Sequence, residues 1–221
     1  MSSETRTYEL KARAEKQAET RRRIVEATAA LHTEVGPART TVAEIARRAG
    51  VQRLTVYNNF PDEKELFEAC GAYWLSENPP PDPAAALGMK NPTERLRAVL
   101  VPLYSWYRNT ARTIENMQRD RLVMPPLDAV MRIRLDRQFD DLAKALAAGF
   151  TQSARSKQGV RAAVALAIDF WTWRRLAGEG MSDAAAAALM VGAVKGASLE
   201  PSPQRPARGR SAKGSTTSMS G

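Results

Sequence analysis

The chain has 221 residues, enough for one domain or two, and its 33 Lys and Arg against 24 Asp and Glu give a net charge of +9, which favours an acidic partner such as nucleic acid or an anionic membrane surface. The longest run free of polar side chains, residues 184–194, falls well short of the roughly 20 residues that span a bilayer, and the first residues lack the apolar run of a secretory signal. One cysteine, Cys70, and one histidine, His32, leave no intramolecular disulfide and no Cys/His metal site, so a cytoplasmic protein without metal, cofactor or membrane partner is expected.

Residues 1–20 read as a basic N-terminal arm. Between Tyr8 and Thr20 every face is polar, so the segment is either a helix supported by pairs such as Glu9/Arg13 or an arm that orders on binding. A first amphipathic helix follows from Arg21 and closes at Gly36-Pro37. Thr41-Val42-Ala43-Glu44 is a capping box, in which hydroxyl and carboxylate satisfy each other's backbone donors. It opens a short helix that ends at Gly50, and a second short helix runs from Gln52 to Asn59. Ile45 and Ala46 face inward, Gly50 takes the left-handed conformation, and Val51 and Val56 pack back against the first of the two. Gln52, Arg53, Thr55, Tyr57, Asn58 and Asn59 are left outside, and all of them are capable of hydrogen bonding. A small apolar core with a polar second helix is what a helix-turn-helix needs in order to enter a major groove.

A fourth helix is expected at about Asp62 to Glu77, then a proline loop at Pro79-Pro80-Pro81. Asn91-Pro92 caps a helix whose apolar positions recur from Arg95 to Asp120, and Pro125-Pro126 precedes another that reaches Phe150. Helices at about Gly159–Leu176 and, after a Ser182 cap, Asp183–Ala197 complete an all-α chain without a convincing strand. The organisation is an arm at 1–20, a three-helix DNA-binding domain at 21–70, a larger helical domain at 71–198 and a disordered basic tail at 199–221. The charge divides unevenly among these: residues 1–70 carry only +1, but bases outnumber acids locally at Arg6–Arg23 and at Gly36–Phe60.

From Arg21 to about Phe67 the sequence resembles the TetR family of bacterial transcriptional regulators. The resemblance rests on Arg23-Ile24-Val25-Glu26-Ala27, Gly36, Thr41, Ile45-Ala46, Ala49-Gly50-Val51, Thr55-Val56-Tyr57 and Phe60, in register. It departs at Gln52, Leu54 and Asn59, where the family commonly has Ser, Gly and His. The family's lysine three places after Phe60 is replaced by Glu63, and Lys64 comes one place later. The resemblance implies phosphate-positioning roles for Thr41, Thr55 and Tyr57, and base-edge roles for Gln52, Arg53 and Asn58. Asn59 reaches base or phosphate, Lys64 a phosphate, and Arg21, Arg22 and Arg23 touch phosphates or a minor groove. It further implies a homodimer on double-stranded DNA, released by a small-molecule effector in the C-terminal domain. The dimer seam is then formed by the last two helices, whose small residues Ala163, Ala167, Ala188, Gly192 and Gly196 permit close packing.

For the effector site the candidates are Trp106, Tyr107, Met117, Phe139, Asp169, Phe170 and Trp171, aromatic or sulfur-bearing side chains at helical spacing with one carboxylate among them. Asp169 reads either as a ligand group or as a structural carboxylate paired with an arginine. His32 and Cys70 read as packing residues rather than as a sensor and a redox switch. The dearth of His and Cys, with no phosphate loop and no spaced carboxylates, speaks against an enzyme. A DNA-binding protein of the same fold that needs no ligand remains the alternative.

Overall fold

The computed structural model describes residues 3–150 and 154–199, so the expected tail lies, past Leu199, outside the described residues. All regular structure among the described residues is helical. Helix α1 runs unbroken over Ser3–Glu34. Its first half is polar all round, leaving Tyr8 and Leu10 exposed, while Ile24, Val25, Ala27 and Leu31 turn into a core. Among the described residues no Glu9/Arg13 pair forms, and the ion pairs on α1 gather instead around Arg22, which bridges Glu19 and Glu26.

The core of α1 is completed by α2 (Val42–Ala49), α3 (Arg53–Asn59) and α4 (Glu63–Glu77), through Ile45, Ala46, Ala49, Val56, Phe60, Leu66 and Cys70. A single 3-10 turn, Pro37–Arg39, joins α1 to α2, and Gly36 precedes it at φ +94. Any Cβ at Gly36 would lie within 2.4 Å of Arg119 and Asp120, so glycine is required there by both conformation and space.

Helix α5 (Ala84–Leu87) is one turn long, and the 29-residue α6 (Pro92–Asp120) starts as predicted, with Asn91 Oδ1 accepting from the Thr93 and Glu94 N–H groups. Helices α7 (Pro125–Met131) and α8 (Arg137–Ala147) form one rod interrupted by a π-turn at Arg132–Asp136. The single helix predicted at about Gly159–Leu176 is two, α9 (Ala154–Ile168) and α10 (Phe170–Gly178). The break is Asp169, in extended conformation, whose carboxylate accepts from Thr172 N–H at 2.8 Å and so starts a new helix. Helix α11 (Asp183–Ser198) begins at the expected Ser182 cap. The second core packs α6 and α8 to α11 around Leu96, Leu100, Tyr104, Tyr107, Val160, Val164, Trp173 and Val194, and a smaller cluster of Phe67, Leu127, Val130 and Met131 joins α4 to α7.

Candidate nucleic-acid interface and cavity

The turn between α2 and α3 is built by backbone chemistry. Gly50 sits at φ 65, ψ 40, its N–H bonds Arg47 O, and the Val51 N–H bonds Ala46 O at 2.9 Å, which is a Schellman closure of α2. The capping box is half formed. Thr41 Oγ1 accepts from Glu44 N–H at 3.2 Å, but the Glu44 carboxylate is taken by the Arg47 guanidinium instead of reaching back to residue 41. The α3 helix has one buried side chain, Val56, and presents Gln52, Arg53, Leu54, Tyr57 and Asn58 to solvent, with Thr55 half-buried. Leu54 is 65% exposed, an apolar residue on an otherwise polar face. Sequence reasoning overlooked it because polarity was taken as the mark of the outer side.

Several predicted contacts are occupied within the chain. Asn59 Nδ2 donates to Thr55 O at 2.8 Å. Arg21 lies over the Phe60 ring at 3.9 Å, donates to Asn59 O and pairs with Glu65, so it ties α1 to the end of α3 and the start of α4. Arg22, Arg47 and Arg48 all have carboxylate partners: Glu19 with Glu26, Glu44 and Glu34 respectively. Arg23, Arg53 and Lys64 carry no ion pair among the described residues, and the buried Arg23 Nε has no hydrogen-bond partner there. The Lys64 N–H is received by Asp62, which caps α4 three residues after α3 ends.

From Phe67 to Leu75, α4 forms part of a cavity of about 370 Å³ lined by α1, α4 and α6 to α10. Of the seven predicted ligand residues, Trp106, Tyr107, Met117, Phe139, Asp169 and Phe170 line it. Trp171 does not. It is 49% exposed on the outer side of α10, because the helix break at Asp169 resets the periodicity that had put it inside. Phe67 and Trp74, seven residues apart on one face of α4, also line the cavity, as do His32 and Met131. That spacing was available in the sequence as the signal for α4's contribution. Trp74 meets Trp106 edge-on at 5.9 Å, and Trp106 Nε1 donates to Asn78 O, pinning the C-terminal end of α4 to α6. The Tyr104 and Tyr107 hydroxyls donate to Ala167 O and Ile168 O, both at 2.6 Å, and burial together with the Asp169 charge raises both phenol pKa values. Asp169 both caps α10 and lines the cavity, and no arginine pairs with it among the described residues.

The last two long helices leave an apolar face uncovered. Leu166 and Leu189 are 56% and 50% exposed, among Ala162, Ala165, Ala185, Ala188, Gly192 and Gly196. Two of the predicted seam residues are placed otherwise: Ala167 is buried in the chain's own core and Ala163 packs against it. Among the described residues no helix is long and apolar enough to cross a membrane.

Residues 24–70 match the family model of bacterial regulatory proteins, tetR family. The chain is similar to the HTH-type transcriptional regulator BetI of Serratia proteamaculans (strain 568), with 26% identity across 76% of this chain and 87% of that protein. A 49-residue stretch is 49% identical to the uncharacterized HTH-type transcriptional regulator MT2310 of Mycobacterium tuberculosis (strain CDC 1551 / Oshkosh), covering 22% of this chain and 26% of the relative, so that likeness spans only about a quarter of MT2310. The crystal structure of a TetR-like transcriptional regulator from Rhodococcus sp. RHA1 shares the fold, with a TM-score of 0.55 at 20% identity over 79% of this chain and 93% of the other.

Proposed function

Since this chain belongs to the TetR family of bacterial transcriptional regulators, whose members bind DNA, we propose that it is a cytoplasmic repressor that holds a palindromic operator as a homodimer and lets go when a small molecule fills the cavity. One observation carries this reading: only three residues separate the end of α3 from the start of α4, and from Phe67 to Leu75 α4 forms a cavity wall through Phe67, Cys70, Gly71, Trp74 and Leu75. A ligand that repacks that wall moves a rigid helix attached to the reading head. It shifts the protein toward release only to the extent that it binds the released arrangement more tightly.

In this reading Gln52, Arg53 and Asn58 address base edges from α3, while Thr41, Thr55, Tyr57 and Lys64 address phosphates. Leu54 adds what hydrogen-bonding residues cannot, an apolar contact suited to a thymine methyl. Arg23 is the member of the arginine triplet left free for a phosphate. Arg21 and Asn59 act one step back, holding α3 at its angle to α1. One reading helix covers too few base pairs for specificity, and a second copy sets two of them about 34–36 Å apart, one turn of DNA. The uncovered face of α9 and α11 supplies the seam.

The test is selection of bound sequences from a random DNA pool, followed by binding measurements with variants. Arg53→Ala is expected to cost about 1–3 kcal/mol and to relax the preference at one position of each half-site. Tyr57→Ala should weaken all sequences about equally. If neither changes affinity for the selected site, the assignment of α3 is wrong; if no compound that binds the cavity ever weakens DNA binding, the protein is a ligand-independent binder of the same fold.

A further inference from the structure

Around the cavity the charge runs opposite to that of the whole chain. A protein of net charge +9 lines this space with Glu68, Asp136, Asp140 and Asp169 against the single guanidinium of Arg134. Two of these carboxylates are answered: Glu68 by Arg134 at 3.7 Å, and Asp136 by Arg121 at 2.7 Å. Asp140 and Asp169 have no cationic partner among the described residues. Asp140 is exposed, whereas Asp169 is half-buried and lines the same cavity as Tyr107 and Phe170. One Asp169 oxygen takes the Thr172 N–H, and no hydrogen bond engages the other among the described residues.

Two of the lining groups that could donate to an anion are spent, and the Arg134 guanidinium is drawn to Glu68. The Tyr107 hydroxyl and the Trp106 indole N–H both donate to backbone carbonyls, so these rings offer the cavity only their π surfaces. His32 adds an independent observation. It is 5% exposed, lines the same space, and its ring nitrogens have no partner among the described residues. Burial, opposed in part by the Asp120 charge, lowers its pKa to about 4, so near neutral pH it contributes one N–H donor, one acceptor and no positive charge. Aromatic faces and an unpaired carboxylate in an apolar enclosure attract an organic cation both through the ring quadrupoles and through the charge.

We propose that the effector of this protein is an aromatic or otherwise lipophilic organic cation, seated with its positive charge toward Asp169 among Trp106, Tyr107 and Phe170. The inference rests on the cavity being the effector site, and binding and release are therefore measured separately. The probes are N-methylquinolinium, its uncharged isostere 1-methylnaphthalene, and the anion 1-naphthoate, each titrated calorimetrically into the full chain without DNA.

The cation is expected to bind at least about tenfold more tightly than the neutral isostere, and the anion more weakly than both. Asp169→Asn keeps a side chain that caps α10. It should remove most of the preference for the cation while leaving affinity for the neutral compound unchanged. Asp140→Asn, at an exposed position, provides a second variant that does not touch the cap and should reduce the preference by a smaller factor. Equal or tighter binding of the neutral compound or the anion overturns the proposal. So does a preference that survives both substitutions, or a cation that does not bind at millimolar concentration. Should the cation bind selectively yet leave operator DNA bound, the cation site stands and the release mechanism falls. If neutral or anionic compounds alone release DNA, the regulatory reading stands and the cation site falls.

Discussion

His32 illustrates how one buried side chain links acidity to folding. It lies on α1 against the Phe67 ring, 5.6 Å between centroids, and the charged group that acts on it is Asp120 of α6. Burial is the larger influence, and it pushes the imidazole pKa from 6.5 to about 4. The folded form thus resists a proton that the unfolded chain accepts, and the unfolded state binds more protons between those two values. Stability from this group is complete above pH 6.5 and is lost as the pH falls toward 4. At pH 5 the loss is about 2 kcal/mol. Urea unfolding at pH 7 and pH 5 should show it for the native chain, and His32→Phe should be flatter by that amount. An equal acid sensitivity in both proteins would mean that the imidazole does not carry the effect. Cys70 obeys the same physics in the other direction: burial raises its thiol pKa to about 12, so it serves as a neutral packing residue. A sequence shows that His32 and Cys70 are solitary, but their protonation depends on what three other helices place around them.

At the scale of elements, the junction of α1 and α6 has a specific chemistry. The last carbonyls of a helix have no partner within it, and here α6 supplies the donors. Asn116 Nδ2 donates to His32 O and Thr33 O at 3.1 and 3.0 Å, Arg112 to Glu34 O, and Arg119 to Val35 O. Asp120 accepts the Ala38 N–H just beyond. This explains the division of α6 into an apolar stripe up to Tyr107 and a polar buried one from Thr110 to Asp120. Asn116→Ala strips two carbonyls of their donor in a buried setting, and a loss of about 1–3 kcal/mol is expected in chemical denaturation. Arg112→Ala, whose bond is exposed, should cost less than half as much; the reverse order would mean that the junction is held by its charges. The helix starts were legible in the sequence because caps are local: Thr41, Asn91 and Ser182 each accept from the backbone as their positions predicted. The break at Asp169 was not, since an aspartate inside an apolar run reads equally as a buried charge or as a cap until its neighbour's N–H is located. The polar stripe of α6 was likewise opaque, because its partners lie some eighty residues earlier in the chain.

For the whole molecule, net charge is a poor guide to where unpaired cationic side chains lie. Arg22, Arg47 and Arg48, which made the N-terminal patches look basic, are largely neutralised by carboxylates of the same segment. Beyond the Gly50 turn, what the exposed face of α3 keeps is a set of polar side chains and Arg53, which has no ion pair among the described residues. The opposite difficulty arises in α11. Residues 184–194 contain no polar side chain, so nothing in the sequence marks which face is outward, and periodicity assigns no side to a helix that is apolar all round. Folding decides it: Ala186, Ala187, Met190, Val191 and Val194 turn in, while Ala185, Ala188, Leu189 and Gly192 face out beside Leu166 of α9. The proposed dimer seam is this exposed apolar surface, which is of the kind that association sites use. A double change, Leu166→Glu with Leu189→Glu, sets like charges facing each other across a two-fold seam, where every residue meets the same surface of its partner. Sedimentation should then report a monomer with unchanged helical content. Its affinity for an isolated half-site should match that of the native chain, because α3 is untouched. Affinity for the full palindrome should fall about a hundredfold or more, the advantage that tethering two reading heads confers. A double variant that still sediments as a dimer would place the seam elsewhere, and a monomer that binds the palindrome as tightly as the native chain would mean that DNA reading needs only one copy.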